Sequence, residues 1–62
     1  MTTGLGKRER HKLATRRAIQ TAADALFDSR GYADTTIRDI TEAAGVTERT
    51  FFRYFSGKEA LL

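Results

Sequence analysis

The chain has no cysteine and no proline, and it has one histidine. Without cysteine, neither a disulfide nor a thiolate metal site can supplement its core. Such a composition suits a reducing cytoplasm. No apolar run approaches the roughly 20 residues that span a bilayer, so no transmembrane helix is expected. The opening residues, Met1 to Gly6, lack the charged segment and apolar segment of a signal peptide. The single histidine, His11, stands in a basic stretch where nothing positions it. With cysteine also absent and no positioned histidine base, nucleophilic catalysis is not expected. Gly4-Leu5-Gly6-Lys7 and Ser56-Gly57-Lys58 carry the Gly-Lys pair of a phosphate loop. Neither has the earlier glycine, the following Ser or Thr, or the preceding strand that such a loop needs. The expectation is a protein that is not an enzyme, with no catalytic residues, no cofactor and no metal.

What is present is positive charge at one end. The 62 residues make one domain at most, and their net charge is +3. A chain this short buries only about 60% of its unfolded surface, so its stability is expected to be marginal. Lys7, Arg8, Arg10, Lys12, Arg16 and Arg17 stand against Glu9 alone in residues 1–17. The remaining residues are slightly acidic. A basic segment on an acidic body points to an anionic partner. Nucleic acid and an anionic membrane surface both qualify, and basic ends also simply promote solubility. Only Leu13 supplies a bulky apolar group near the cluster, which argues against a membrane-lying helix.

Hydrophobic spacing predicts three helices. Residues 1–9 read as a disordered basic arm, with glycines at 4 and 6 and no periodicity. From about Arg10 to Ser29, Ile19, Ala22, Ala23, Leu26 and Phe27 fall on one helical face. Gly31 suits the position just past a helix end. Tyr32 and Ala33 then lead into a polar turn, Asp34-Thr35. Thr36 is a good N-cap, with Asp39 three residues on as in a capping box. Ile37, Ile40 and Ala44 form the buried stripe of the second helix, and Gly45 ends it. Thr47 caps a third helix running from about Glu48 to Tyr54, with Phe51 and Phe55 as a core pair. Ser56-Gly57 breaks the chain, and Ser56 then caps the start of a fourth helix, Lys58-Glu59-Ala60-Leu61-Leu62. The fold class expected is all-α: a three-helix helix-turn-helix domain, residues 10–62, with the start of a fourth helix.

The informative stretch is residues 36–54. Two short helices joined by a turn containing glycine, Ala44-Gly45-Val46-Thr47, make a helix-turn-helix signature. Val46 fills the angle between the helices, and Ala43 or Ala44 permits close approach. An ordinary corner between helices has the same spacing, and fold alone does not give function. A module that binds protein through the helix pair remains an alternative on these grounds.

Longer motifs separate these readings. Thr35-Thr36-Ile37-Arg38-Asp39-Ile40-Thr41-Glu42-Ala43-Ala44-Gly45-Val46-Thr47 and Thr50-Phe51-Phe52-Arg53-Tyr54-Phe55-Ser56-Gly57-Lys58-Glu59-Ala60-Leu61-Leu62 resemble the two halves of the TetR family's helix-turn-helix. Ala22-Ala23-Asp24-Ala25-Leu26-Phe27 and Gly31-Tyr32 resemble its first helix and that helix's end. The resemblance covers residues 12–62 without a gap. It implies a bacterial, cytoplasmic regulator of transcription, a repressor, that binds a double-stranded DNA operator with its recognition helix in the major groove. It also implies a C-terminal domain beyond these residues that forms the homodimer and takes a small-molecule effector, and that the 62 residues alone are monomeric.

The resemblance assigns DNA-contacting positions one at a time. Thr36 matches a residue that bonds phosphate, where the helix N-terminus also favours an anion. Arg38 matches a position that reads guanine in some relatives, and a solvated pair with Glu42 is its plain alternative. Thr47, Glu48, Arg49 and Thr50 occupy the turn that faces base edges. Arg49 suits guanine, Glu48 suits cytosine N4, and Thr50 suits a thymine methyl or a phosphate. Glu48 also suits the helix dipole without any base. Tyr54 and Lys58 match phosphate contacts. Phe52 stands where relatives often carry Tyr, so a phosphate bond is lost there. The ring is left to press on a thymine methyl or sugar, or to join the core. Lys7, Arg8, Arg10, Lys12, Arg16 and Arg17 form an accessory basic arm for the minor groove or the phosphates.

Overall fold

The computed structural model describes residues 7–62, with side chains from His11 onward. Three α-helices, α1 (Lys7–Arg30), α2 (Ile37–Ala44) and α3 (Glu48–Tyr54), are followed by a 3-10 turn, Lys58–Leu61. Ile19 and Ala23 of α1, Ile40 of α2, Phe51 and Phe55 at α3, and Leu61 of the last turn form one buried cluster. Ala22, Leu26, Phe27, Ile37, Ala44, Val46 and Tyr54 pack around it, each partly buried.

The first helix is longer than its apolar face. It begins at Lys7 rather than near Arg10, so residues 7–9, expected in a disordered arm, have helical backbone. Lys, Arg and Glu are strong helix formers, and after Gly6 nothing interrupts the run. The disordered reading of residues 1–6 lies outside the described residues. From 11 to 14 every side chain is exposed, because the core face starts only at Ile19. The first turns of α1 therefore project past the core and carry charge.

The link from α1 to α2 is tightly bonded. Gly31 takes φ 91° and donates its N–H to the Phe27 carbonyl at 2.9 Å. Thr35, expected in an open polar turn, is fully buried. Its hydroxyl lies 2.8 Å from the Gly31 carbonyl oxygen and 3.3 Å from that of Leu26. These bonds are what make its burial tolerable.

Both short helices depend on their ends. At α2 the Thr36 hydroxyl accepts from the Asp39 N–H at 3.0 Å, and the Asp39 carboxylate accepts from the Thr36 N–H at 3.0 Å. This is the reciprocal capping box. Gly45 closes α2 at φ 74°. Its N–H donates to the Glu42 carbonyl at 3.3 Å, and that of Val46 to Thr41 at 3.0 Å, the paired bonds of a Schellman ending. Thr41, not anticipated as core, is buried and bonds its hydroxyl back to the Arg38 carbonyl at 3.0 Å. The Thr47 hydroxyl accepts from the Thr50 N–H at 3.1 Å and starts α3.

The fourth element departs from expectation. It is a 3-10 turn with Gly57, not Ser56, at its N-cap, and no side chain caps it. Four residues cannot close successive i→i+4 bonds, so i→i+3 bonds form instead. Leu61 is nonetheless buried. Gln20 Nε2 donates to the Leu61 carbonyl at 2.9 Å and ties the turn to α1.

Candidate nucleic-acid interface

With Phe51 buried, α3 must turn its other sides outward. Glu48, Arg49, Phe52 and Arg53 are exposed, and Thr50 and Tyr54 are half-buried. Phe52 is 52% exposed, and its ring meets that of Phe51 edge-on at 5.1 Å between centres. The alternative that Phe52 joins the core therefore falls. Its ring is an apolar surface on an otherwise polar, charged face.

The two capping threonines are engaged within the domain, and Thr50 keeps a donor. At Thr36 the hydroxyl oxygen accepts from the Asp39 N–H, and the same side chain helps to hold the Asp39 carboxylate ionised. Thr47 is fully engaged, because its hydroxyl also donates to the Thr50 hydroxyl at 3.1 Å. Thr50 is left with an O–H to offer outward. A hydroxyl donor at a helix N-terminus is suited to a phosphate oxygen.

Charge on α2 is locally matched. Arg38 Nε lies 3.2 Å from Glu42 Oε2, with the two side chains 78% and 67% exposed. Arg30 Nη1 lies 3.2 Å from Asp39 Oδ2 and joins the end of α1 to the start of α2. The Asp39 carboxyl is held below the ordinary aspartate range, first by the Thr36 N–H and the Thr36 hydroxyl. Burial works against these two bonds, and the charges of Arg30 and then Arg38 add smaller downward effects.

Lys58 does something its sequence position does not announce. Its ammonium donates to the carbonyls of Tyr32 at 2.8 Å and Thr35 at 2.9 Å. It also sits 4.2 Å from the centre of the Tyr32 ring, within cation–π range. One of its three N–H donors is left over for a phosphate.

The basic segment of α1 divides. Lys12, Arg16 and Arg17 are exposed on the helix, while the side chains of Lys7, Arg8 and Arg10 lie outside the described residues. Arg16 lies over the Phe55 ring at 5.3 Å, so this side of α1 faces the end of α3. Lys12, Arg53 and Tyr54 line an open cleft of about 300 Å³. Sequence reasoning did not single out Arg53. Its signal was its place four residues after Arg49 on a short helix, which puts both on one side.

Residues 36–54 thus form two short capped helices joined at Gly45, with the second presenting an exposed, polar N-terminal turn. Residues 19–62 match the family model for "Bacterial regulatory proteins, tetR family". The chain belongs to the TetR family. It carries the family's DNA-binding helix-turn-helix. It is 45% identical over 56 residues to the HTH-type transcriptional regulator TcmR of Streptomyces glaucescens, covering 90% of this chain and 25% of the relative. To the HTH-type transcriptional regulator RutR of Escherichia coli it is 41% identical over 56 residues, covering 90% of this chain and 26% of that one. To the HTH-type transcriptional regulator EthR of Mycobacterium tuberculosis it is 40% identical over 45 residues, covering 73% and 21%. The chain spans about a quarter or less of the length of the curated relatives it matches. No solved structure matches it. Among the described residues no helix is long and apolar enough to cross a membrane.

Proposed function

We propose that this domain docks α3 in the major groove of an operator and that the whole protein is a repressor. The observation that carries the reading is the exposed face of α3: Glu48, Arg49, Phe52 and Arg53 point away from the Phe51 core. A helix inserted by its N-terminal turn reads base edges with side chains placed this way. Arg49 is the guanine reader, its guanidinium matching O6 and N7. Thr50 donates its free hydroxyl, and Phe52 presses on a thymine methyl or sugar. Glu48 serves the positive end of the α3 dipole before it serves any base. Thr36 and Tyr54 hold phosphates on either side, with the leftover N–H of Lys58 beside them.

In a protein of the relatives' length, a further domain pairs two copies and takes a small effector. Two half-sites then bind together, and the isolated domain binds one half-site weakly. A change of half-site spacing on effector binding releases the operator. The work is done in the cytoplasm, without catalysis by this domain. Support comes from the family and from relatives named as transcriptional regulators.

The test is an NMR titration of the chain with operator-like and random duplexes at two salt concentrations. Shifts centred on Thr36, on residues 47–54 and at Lys58, and differing between duplexes, are expected. Shifts confined to residues 7–17 and abolished by salt overturn groove docking.

A further inference from the structure

We propose that the cleft between the first turns of α1 and the end of α3 seats one phosphate of the DNA backbone, with Arg53 and Lys12 as its two charged contacts. The inference rests on the DNA-binding reading above and adds to it a residue, Arg53, and a place. The cleft is lined by Lys12, Arg53 and Tyr54 and measures about 300 Å³. Two cations from different helices and a phenol line it, and among the described residues no acidic side chain does. Neither cation forms an ion pair with any described residue. Like charges facing a common space repel, and an anion placed between them removes the repulsion and gains both attractions. The Arg53 guanidinium offers a planar fork of N–H donors that fits two phosphate oxygens. Lys12 adds a point charge, and the Tyr54 hydroxyl adds a neutral donor.

Two rows of charge lead to this spot. Arg49 and Arg53 are four residues apart on α3, and Lys12 and Arg16 are four apart on α1. Like-charged pairs at this spacing destabilise a helix slightly, and of these four side chains Arg16 alone has an aromatic partner in the free domain. Arg16 is fixed over the Phe55 ring at 5.3 Å, which keeps positive charge behind the cleft. The row on α3 runs from the turn that faces bases to the cleft. A strand whose bases meet Arg49 therefore has its backbone directed toward Arg53. The cleft is open, unlike the enclosed apolar pockets that take small organic ligands.

The test compares the wild-type chain with Lys12→Gln, Arg53→Gln, the double variant, Arg53→Lys and Arg49→Gln. Binding to a short random duplex and to a selected operator is followed by fluorescence anisotropy over a range of salt. Each single Gln variant is expected to lose roughly 3- to 10-fold in affinity, equally on both duplexes. The double variant loses less than the product of the two, because both side chains serve one phosphate. Its plot of log affinity against log salt becomes shallower by about 0.9, the release of one phosphate's counterions. Arg53→Lys keeps the wild-type slope. Unchanged affinity and slope in Arg53→Gln and Lys12→Gln, with Arg49→Gln weakened, overturn the cleft and leave groove docking standing. Losses on the operator alone make Arg53 a base reader and overturn the phosphate seat. Inorganic phosphate that saturates the cleft without being displaced by duplex shows a free-anion site and overturns it too. A wild-type chain that binds neither duplex overturns both readings together.

Discussion

The ammonium of Lys58 and the ring and carbonyl of Tyr32 form a latch between the two segments that flank the helix-turn-helix. Nζ lies 4.2 Å from the ring centre and 2.8 Å from the carbonyl oxygen, and it reaches the Thr35 carbonyl at 2.9 Å. The turn after α3 is thereby fastened to the turn before α2, and the helix-turn-helix is held between them. A residue implied by family resemblance to hold phosphate is also a structural fastener.

Replacing Lys58 with Met should therefore lower stability as well as DNA affinity. Two carbonyls lose their charged donor, and each half-satisfied group in a part-buried site costs about 1–3 kcal/mol. Urea unfolding followed by circular dichroism measures the effect. A midpoint equal to that of the wild type would show that the latch adds nothing to the fold.

Gly45 and Gly57 should respond differently to alanine. Gly45 has φ 74°, in the left-handed region. A Cβ there meets no atom within 4 Å, so backbone strain is the whole cost, about 1–2 kcal/mol. Gly57 has φ 174°, extended backbone open to any residue, and a Cβ meets nothing there either. Gly57→Ala should be neutral or slightly stabilising by up to about 1 kcal/mol, through a less flexible unfolded chain. Thermal melting of the two variants checks the contrast, and equal losses would refute it.

Asp39 makes the start of α2 sensitive to acid. Its folded carboxyl ionises below the ordinary aspartate range because the Thr36 N–H and hydroxyl bond its charged form. The unfolded state therefore takes up a proton first as pH falls. Stability from this group is complete above the unfolded pKa and is lost as pH drops through the lowered folded one. In Asp39→Asn the acid limb of the stability profile should be flatter, with lower stability near neutrality. Unfolding midpoints across the acid range measure it, and parallel profiles for the two proteins would count against the capping box.

Much of this was readable because it is local. The spacing of Ile19, Ala23, Ile40 and Phe51 and the end signals at Thr36, Gly45 and Thr47 are set by helix geometry, and each falls where expected. What stayed hidden depends on contacts between distant segments. Thr35 looks like turn residue and is buried, because the Gly31 and Leu26 carbonyls take its hydroxyl. Lys58 looks like a free cation and is fastened to a turn 26 residues away. Arg53 looks like one more exposed charge, and only the packing of α1 on α3 sets it beside Lys12. The start of α1 was misplaced for another reason: apolar periodicity marks where a helix is buried, and the charged turns before it leave no such trace.

Arg38 and Glu42 allow the roles of charge and base reading to be separated. The pair is exposed on both sides, and such pairs contribute little, so Glu42→Gln should change stability by less than about 0.5 kcal/mol. Its effect on DNA should be larger and favourable. A carboxylate on an exposed side of α2 repels the DNA backbone, and at 3.2 Å it competes with a base for the Arg38 guanidinium. Removing that charge should raise affinity on every sequence and steepen the gain at the base pair Arg38 reads. Arg38→Ala supplies the complementary measurement. If Arg38 bonds guanine bidentately, discrimination at one base pair falls by about 1–3 kcal/mol while others are unchanged. If it serves only as surface charge, affinity falls uniformly and the ranking of sequences is preserved. Selection of bound duplexes from a randomised pool, run with the wild type and both variants, distinguishes these outcomes, and a Glu42→Gln chain that binds more weakly on all sequences would show that the ion pair itself is needed to hold Arg38 toward the groove.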